Sequence, residues 1–298
     1  MCVDGAFASL TPQLASVRHD RTMTPDMSLD LAKLLLIART LARETGERVV
    51  SARGEARVSA TKSSDQDVVT QNDLAAEQHL RQRIAELRPH DGILGEEGDD
   101  VKGTSGVTWV LDPIDGTVNY LYGLPHYGVS VAAVAGDPTP AQWTALVGAV
   151  YDGSGVLWSA ARGMGATRDD AVLSRDSGPE LAGTLLGTGF QYVAERRVRQ
   201  GEIVTHMLAR VRDIRRLGAA SIDLCLVAAG QIDAFYEHGL NAWDFAAGAL
   251  IATEAGLRVS GIDGGPATER LLIAAMPDRW ERLRDALVHA GAEESWAQ

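Results

Sequence analysis

Acidic side chains recur at places where the sequence predicts that a helix or strand begins or ends, often beside glycine. They are Asp73, Glu96, Glu97, Asp112, Asp115 and Asp244. Strand ends and helix N-termini gather at one edge of a sheet in α/β folds, which is where ligand clefts form. Several carboxylates in one cleft repel one another unless cations bind between them. Because oxygen ligands select hard cations, the pattern indicates a site for Mg²⁺.

Each of these carboxylates also has an ordinary structural explanation. Asp73 and Asp244 can cap helices, and the pair Glu96-Glu97 can belong to a solvated acidic turn. The run 112–116, Asp-Pro-Ile-Asp-Gly, contains residues that favour turns. The run 109–111, Trp-Val-Leu, lies directly before it. Two carboxylates three residues apart at the mouth of a buried strand suit a bridged pair of metal ions better than a surface turn.

Gly116 and Thr117 add a candidate phosphate-binding element. A glycine followed by a hydroxyl residue at a helix start offers backbone N–H groups and the positive end of the helix dipole to an anion. Metal ions and this helix start would then hold a phosphoryl group from two sides. The natural reaction is in-line attack by a metal-activated water, because the cations lower its pKa and stabilise the leaving oxygen.

Other common catalytic motifs are absent from the sequence. It contains no Gly-x-x-x-x-Gly-Lys-Ser/Thr phosphate loop, no His-Glu-x-x-His zinc motif and no Gly-x-Ser-x-Gly elbow. The seven histidines are scattered, and we expect His238, beside Glu237, to be structural or exposed. Cys225 falls in an apolar helical pattern and is expected to be buried. We expect Arg215 and Arg216 to lie on the surface or at an interface rather than to bind an anionic substrate.

The composition is that of a globular protein. Of the 298 residues, 45% are hydrophobic and 23% are charged, which excludes wholesale disorder. The net charge of −12 argues against direct nucleic-acid binding, because attraction to phosphates needs a basic surface. The apolar runs are too short to span a membrane, and the N-terminus lacks the pattern of a secretory signal. Two cysteines fit a reducing cytoplasm.

Hydrophobic periodicity predicts helices interspersed with short strands. The predicted helices cover residues 28–50, 70–87, 194–212, 221–229, 245–255 and 278–290. The predicted strands cover residues 93–94, 107–111, 129–134, 145–151, 155–160, 165–168, 185–190, 234–236, 258–260 and 271–275. Connections between 129 and 168 are too short for helices, which predicts an antiparallel meander. We expect an exposed loop or hairpin at 53–67, a loosely ordered leader at 1–26 and a single domain over 27–298.

Four segments carry a resemblance to a known family. They are 67–73 (Asp-Val-Val-Thr-Gln-Asn-Asp), 95–97 (Gly-Glu-Glu), 109–120 (Trp-Val-Leu-Asp-Pro-Ile-Asp-Gly-Thr-Val-Asn-Tyr) and 243–248 (Trp-Asp-Phe-Ala-Ala-Gly). From about Ser28 to Ala290 the chain resembles the inositol monophosphatase family, in particular its bacterial branch. The resemblance implies an α/β fold, a layered αβαβα sandwich, in a cytoplasmic enzyme that is commonly a homodimer. It also implies hydrolysis of phosphate monoesters with Mg²⁺ and sensitivity to Li⁺.

By position, the resemblance also implies roles for individual residues. The implied metal ligands are Glu96, Asp112, the carbonyl of Ile114, Asp115 and Asp244, with Asp112 bridging two ions. The implied catalytic residues are Glu96, Asp73 and Thr117, with Thr117 orienting or deprotonating the attacking water. The implied substrate contacts are Asp115, Gly116, Thr117, Ala220, Glu237 and Asp244. Residues 62–64 (Lys-Ser-Ser) match a loop that helps to bind a third ion. Most implied metal ligands lie in the half 27–180, whereas Asp244 and the ring contacts lie in 181–298.

The leading hypothesis is an inositol-1-monophosphatase that takes a small-molecule phosphate monoester. Glu237 favours a polyhydroxylated ring, because a carboxylate accepts hydrogen bonds from vicinal hydroxyls. Fructose-1,6-bisphosphatase, histidinol-phosphatase and nucleotide 3′-phosphatase activities stay open on the same core. Departures from the family pattern at 65–66 (Asp-Gln) and at Ala219 bear on this substrate preference. A transcription-antitermination adaptor is the alternative from another class, which the acidic charge and the complete carboxylate set disfavour.

Overall fold

A computed structural model describes residues 25–62 and 68–293 of the chain. Residues 1–24, which make up most of the expected leader, lie outside the described residues. The same holds for 63–67, which includes the Ser-Ser pair of the implied loop and the departure at 65–66.

Within the described residues the chain forms seven α-helices. They are α1 (Pro25–Ala52), α2 (Gln71–Leu87), α3 (Thr117–Tyr122), α4 (Ala194–Leu208), α5 (Ala220–Ala228), α6 (Ala242–Glu254) and α7 (Pro277–His289). The strands are β1 (Val58–Thr61), β2 (Val68–Thr70), β3 (Gly92–Gly95), β4 (Val107–Asp115), β5 (Gly128–Ala135), β6 (Thr144–Asp152), β7 (Leu157–Ala161), β8 (Gly165–Arg168), β9 (Ala171–Leu173), β10 (Leu185–Thr188), β11 (Asp213–Arg215), β12 (Ala234–Glu237), β13 (Arg258–Ser260) and β14 (Leu272–Ala275). None of these helices combines the length and hydrophobicity needed to cross a bilayer.

Most predicted elements are confirmed, with changes at their ends. Helix α1 begins three residues before its predicted start at Ser28. The helix predicted over 194–212 ends at Leu208, because residues 213–215 pair with β10 as an edge strand. Strands β9 and β11 were not predicted, since both are three residues long and largely exposed and therefore lack an apolar alternation. The segment 53–67, predicted as a loop or hairpin, contains β1, which pairs antiparallel with β2 directly after that segment.

The larger sheet has seven strands in the order β3-β4-β5-β6-β7-β8-β9. Strands β3 and β4 are parallel, and all other neighbours are antiparallel, which confirms the predicted meander. Both faces of β5 are buried. Val129, Val131 and Ala133 belong to one apolar cluster, and Ala132 and Val134 belong to another. Because side chains alternate along a strand, this sheet separates two hydrophobic cores.

The smaller sheet has five strands in the order β11-β10-β12-β14-β13. Helices α1 and α2 pack on the outer face of the larger sheet, and α5 and α6 lie between the two sheets. Helix α7 packs against β14 and α4 on the outer side of the smaller sheet. The layers are therefore αβαβα, as the resemblance implies.

Two glycines allow α6 to approach its neighbours closely in the middle layer. A Cβ atom at Gly148 of β6 would lie 2.8 Å from Cα of Ala247. One at Gly248 would lie 2.9 Å from Cβ of Leu224 on α5. A larger residue at either position would push α6 outward, because the interior has no free volume to absorb it. This packing fixes the helix whose first turn carries Asp244.

Candidate active site

The ends of several elements meet around one open cavity of about 340 Å³. The acidic side chains that line it are Glu96, Asp112, Asp115, Glu237 and Asp244. The other predicted site residues that line it are Ile114, Gly116, Thr117 and Ala220. Asp73 does not line the cavity, but its carboxylate contacts the hydroxyl of Thr117. The structure thus brings together the residues to which the sequence analysis gave metal, catalytic or substrate roles. Glu97 does not line the cavity but pairs with Lys62, which does.

A β-bulge allows Asp112 and Asp115 to face the same cavity. In a regular strand, residues three apart point to opposite faces of the sheet. Asp112 lies opposite Ser130 and Asp115 opposite Gly128, so three steps along β4 match two along β5. Pro113 lies within this irregular stretch, where a residue without an N–H group is tolerated. The bulge is therefore the structural reason for the spacing of the two carboxylates.

The start of α5 holds the carboxylate of Asp115. Its Oδ2 accepts hydrogen bonds from the N–H of Ser221 at 2.7 Å and the hydroxyl of Ser221 at 2.5 Å. The N–H of Ala220 donates to the same carboxylate. Burial raises the pKa of Asp115 to about 6, and these hydrogen bonds oppose the rise. Sequence reasoning missed Ser221, although a hydroxyl residue at a helix start is the signal that singled out Thr117.

Lys62 provides the counter-charge of Glu96. Its Nζ lies 2.8 Å from Oε1 of Glu96 and 2.8 Å from Oε1 of Glu97. Burial raises the pKa of Glu96 to about 7, and the lysine charge opposes this rise. The ammonium group therefore neutralises the one cavity carboxylate that follows β3.

Asp112 is buried and Asp244 is half-buried, each beside other acids. Burial, followed by the charges of Glu96, Asp115 and Asp244, raises the pKa of Asp112 well above its usual range. Burial and the charges of Glu96 and Asp115 do the same for Asp244. Asp244 also accepts the N–H of Asn241 at 2.7 Å in a capping box at the start of α6. The capping explanation and the cavity-facing explanation therefore both hold for Asp244.

The donor set suits a hard divalent cation, because all of its donors are oxygen atoms. Among the described residues, no three acidic, histidine or cysteine side chains form a ready-made ion site. Lys62 engages Glu96, and the carboxyl groups of Glu96 and Asp112 are in hydrogen-bond contact with each other. The raised pKa values mean that the protein alone does not stabilise the full negative charge of the cluster. A divalent cation would supply the missing compensation.

Asp73 joins the start of α2 to the start of α3. Its Oδ2 accepts the N–H of Thr70 at 2.9 Å and the Thr70 hydroxyl, which completes a capping box. Its Oδ1 lies 3.0 Å from Oγ1 of Thr117. The same hydroxyl lies 3.0 Å from the carbonyl oxygen of Ile114, so its single proton has two acceptors.

Glycine is required at position 116. Gly116 is the N-cap of α3 with a φ of 87°, in the left-handed region. A Cβ atom there would lie 2.9 Å from the carbonyl oxygen of His126 and 3.0 Å from Cβ of Ala219. The chain can therefore turn sharply from β4 into α3 at the cavity only with glycine at this point.

Glu237 and Arg216 form part of the wall away from β3. A Cβ atom at Gly189 would lie 2.0 Å from Oε2 of Glu237, so the glycine makes room for this carboxylate. Burial raises the pKa of Glu237 to about 8, and the charge of Arg216 opposes the rise. The Arg216 guanidinium lies 5.9 Å from the ring centroid of Phe190. Arg216 is exposed but lines the cavity, which corrects the expectation that it belongs to an ordinary surface or an interface.

The remaining expectations for single residues agree with the structure. His238 is buried, and its Nε2 lies 3.1 Å from the carbonyl oxygen of Ala292, which is a structural role. Cys225 is fully buried in the middle layer. Arg215 is exposed and pairs with Asp213 at 2.6 Å.

Comparison with known proteins identifies the family. A model of the inositol monophosphatase family matches residues 30–295. This chain belongs to the inositol monophosphatase family. Inositol-1-monophosphatase SuhB of Mycobacterium tuberculosis is 48% identical over 249 residues, which cover 76% of this chain and 83% of that protein. Nus factor SuhB of Pasteurella multocida is 39% identical over 252 residues, which cover 82% of this chain and 91% of that protein.

Solved structures share the αβαβα fold of this inositol monophosphatase family member. Extragenic suppressor protein suhB of Bartonella henselae superposes with a TM-score of 0.78 at 30% identity, covering 86% of this chain and 98% of that one. SaIMPase-II bound to inositol monophosphate superposes with a TM-score of 0.66 at 26% identity, covering 86% of this chain and 97% of that one. Membership supports phosphatase activity at the level of the family.

Asp223 is a further buried acid next to the site. It lies on α5, is 1% exposed, and neither of its carboxylate oxygens has a hydrogen-bond partner in the part of the chain that is described. Burial, followed by the charges of Glu237 and Asp115, raises its pKa well above the usual range. The native state therefore binds this proton more tightly than the unfolded chain does. The resulting stability is present below about pH 4 and is lost as the pH rises towards the folded-state pKa.

We therefore expect Asp223→Asn to raise the free energy of unfolding of the metal-free protein at pH 8 by on the order of 1 kcal/mol relative to the parent. At pH 5 the increase should be smaller. Denaturant unfolding at the two pH values measures the difference. Asp152→Asn is the matched control, because Asp152 accepts hydrogen bonds from the backbone of Ser154 and Val156 and from the indole of Trp158. The control should lose about 1–3 kcal/mol at both pH values. An Asp223→Asn variant that loses stability equally at both would contradict this account.

Proposed function

We propose that this chain is a Mg²⁺-dependent phosphate monoesterase whose substrate is inositol 1-phosphate. The observation that carries the proposal is the crowding of four carboxylates, those of Glu96, Asp112, Asp115 and Asp244, on one cavity, two of them (Asp112 and Asp115) buried. Their raised pKa values indicate a demand for positive charge, and family membership supports the phosphatase reaction. The finer assignments rest on chemistry and on the positions of individual residues.

Asp112 is the proposed bridge between two ions. The charges of Glu96, Asp115 and Asp244 all raise the pKa of its carboxyl group, which supports a position between them. Glu96 and the carbonyl of Ile114 would complete the first site, and Asp115 and Asp244 would complete the second. Bound Mg²⁺ would neutralise these carboxylates, polarise the phosphoryl oxygens and lower the pKa of water.

Thr117 and Asp73 are proposed to orient the attacking water. The Thr117 hydroxyl can donate to Asp73 while its oxygen accepts a hydrogen bond from the attacking water. The carbonyl of Ile114 competes for the same hydroxyl proton in the absence of an ion. If this carbonyl is engaged as a ligand, Asp73 becomes the favoured acceptor, and the Thr117 lone pairs then face the cavity.

Phosphate oxygens are proposed to bind at the N–H groups of Gly116 and Thr117. Both residues line the cavity at the start of α3, where unpaired N–H groups attract anions. Asp115 and Asp244 would then lie close enough to contribute to the substrate site as well as to the metal site.

Glu237 is proposed to select a polyol. Its two carboxyl oxygens can accept hydrogen bonds from vicinal ring hydroxyls, and glutamine would replace one of these acceptors by a donor. The backbone of Ala220 is the second proposed ring contact. Because the N–H of Ala220 already donates to Asp115, a ring hydroxyl would have to share that donor.

A phosphate-release assay over several substrates tests the proposal. Inositol 1-phosphate, fructose 1,6-bisphosphate, histidinol phosphate and a nucleoside 3′-phosphate would be compared with and without Mg²⁺ and Li⁺. We expect the highest kcat/KM for inositol 1-phosphate, activity only with Mg²⁺ and inhibition by Li⁺. A higher kcat/KM for another substrate would move the assignment to that compound, and equal release without Mg²⁺ would refute the metal-dependent reaction.

Replacing Asp112 by asparagine should abolish turnover and leave the fold intact, because loss of the bridging charge weakens both proposed ion sites. The stabilisation of the parent by Mg²⁺, measured as a shift in Tm, should disappear with it. Near-normal kcat at saturating Mg²⁺ would count against Asp112 as the bridge.

Replacing Glu237 by glutamine should raise KM for inositol 1-phosphate more than KM for an aryl phosphate, because only the former offers vicinal hydroxyls. Steady-state kinetics on both substrates provides the comparison. Arg215→Met, at an exposed residue that pairs with Asp213, serves as a control that should leave both KM values unchanged. Identical effects of Glu237→Gln on the two substrates would remove Glu237 from the ring site.

An antitermination adaptor is the second candidate function. The relative from Pasteurella multocida carries the name Nus factor SuhB, which is the observation in its favour. The net charge of −12 disfavours direct RNA binding by this chain. Metal-independent background release on every substrate, together with binding to a transcription complex, would support the adaptor. The cytoplasmic location and the homodimer stay predictions of the family resemblance.

A further inference from the structure

Glu77 lies outside the proposed metal and substrate contacts, yet its carboxylate is buried under the turn that carries Glu96. Glu77 belongs to α2 and is 2% exposed. Its Oε2 accepts the N–H of Glu97 at 2.8 Å, and its Oε1 accepts the N–H of Gly98 at 2.8 Å. One side chain therefore satisfies two successive backbone donors of a turn that has no regular secondary structure.

Arg81 completes this anchor one helical turn further along α2. Its Nε donates to Oε1 of Glu77 at 2.7 Å, and its Nη1 donates to the carbonyl oxygen of Asp99 at 2.8 Å. The guanidinium neutralises the buried carboxylate and also binds the far end of the turn. Charge-assisted hydrogen bonds of this kind are stronger than neutral ones, so the turn is attached firmly to the helix.

The glycines on either side of Glu96-Glu97 fit the same anchor. A Cβ atom at Gly95 would lie 2.6 Å from Oε1 of Glu77, and one at Gly98 would lie 3.0 Å from it. Side chains at these two positions would push the carboxylate away from the N–H groups that it binds. The Gly-Glu-Glu-Gly run is therefore complementary to the buried Glu77 carboxylate as well as to the cavity.

We propose that Glu77 is a positioning residue that aims the Glu96 carboxylate at Asp112 and thereby sets the affinity of the first metal site. This inference rests on the proposed function. Glu96 lies between Gly95, which pairs with β4 at the end of β3, and Glu97, whose N–H binds Glu77, so its backbone is held on both sides. Without this anchor, the backbone that sets where the Glu96 carboxylate meets Asp112 would be free to shift, and only the ion pair with Lys62 would hold the side chain.

The test replaces Glu77 with glutamine, which keeps the shape but places an amide N–H₂ opposite a backbone N–H donor. We expect the Kd for Mg²⁺, measured by calorimetry, to rise roughly tenfold or more, as for other residues that orient metal ligands. The kcat at saturating Mg²⁺ and the KM for substrate should change little. Amide hydrogen exchange at Glu97 and Gly98 should accelerate in the metal-free protein. If Glu77→Gln folds poorly, Glu77→Asp serves as the second variant. It retains the negative charge on a shorter side chain, and its Kd for Mg²⁺ should lie between that of the parent and the tenfold higher value.

Asp91→Asn is the matched control. Asp91 is 6% exposed and accepts hydrogen bonds from Arg88, Ser105 and the indole of Trp109 at the opposite end of β3. It should reduce stability without changing the Kd for Mg²⁺. A Glu77→Gln variant that binds Mg²⁺ as tightly as the parent, or a control that weakens binding equally, would overturn the inference while the proposed function stands. Failure of the parent itself to bind Mg²⁺ would overturn the proposed function, and this inference with it.

Discussion

The burial of several like charges on one cavity is the constraint on which the rest of the molecule depends. Glu96, Asp112, Asp115 and Asp244 come from three separate regions of the chain. Burial raises the pKa of each, and the charges of neighbouring acids of this set add to the rise at Asp112 and Asp244. A fold tolerates this arrangement only if other parts of the structure hold the carboxylates in place. The N–H groups at the starts of α5 and α6 contribute, and so does the ammonium group of Lys62. The residual demand for positive charge is what makes the cavity suitable for divalent cations.

A few local features of the backbone hold this unfavourable cluster of carboxylates in fixed positions. The bulge between Asp112 and Asp115 turns two carboxylates to one side of β4. Gly116 allows the chain to turn directly into α3, and Gly148 allows α6 to lie close to the sheet. Each of these features sets the path of the backbone, so the positions of the carboxylates depend little on flexible side chains. Such rigidity is what catalysis by fixed charges requires.

Local patterns in the sequence predicted the carboxylate set and most of the elements that carry it. The capping box at Thr70–Asp73 and the apolar run before Asp112 each signal an element boundary without any tertiary information. The αβαβα layering came from the family resemblance, since the pairing of distant strands leaves no trace in local periodicity. Ser221 and Glu77 were missed because their partners, Asp115 and the backbone at Glu97 and Gly98, are distant in sequence. The β-bulge could not be predicted from the sequence either, because it is defined by the register of β4 with β5.

Anomalous diffraction from a crystal soaked in Mn²⁺, a substitute for Mg²⁺ at oxygen ligands, tests the central claim most directly. The account predicts anomalous peaks between Asp112 and its acidic neighbours, with the Lys62 ammonium displaced from Glu96. Peaks confined to surface acids, with none among the four cavity carboxylates and Lys62 still on Glu96, would contradict it.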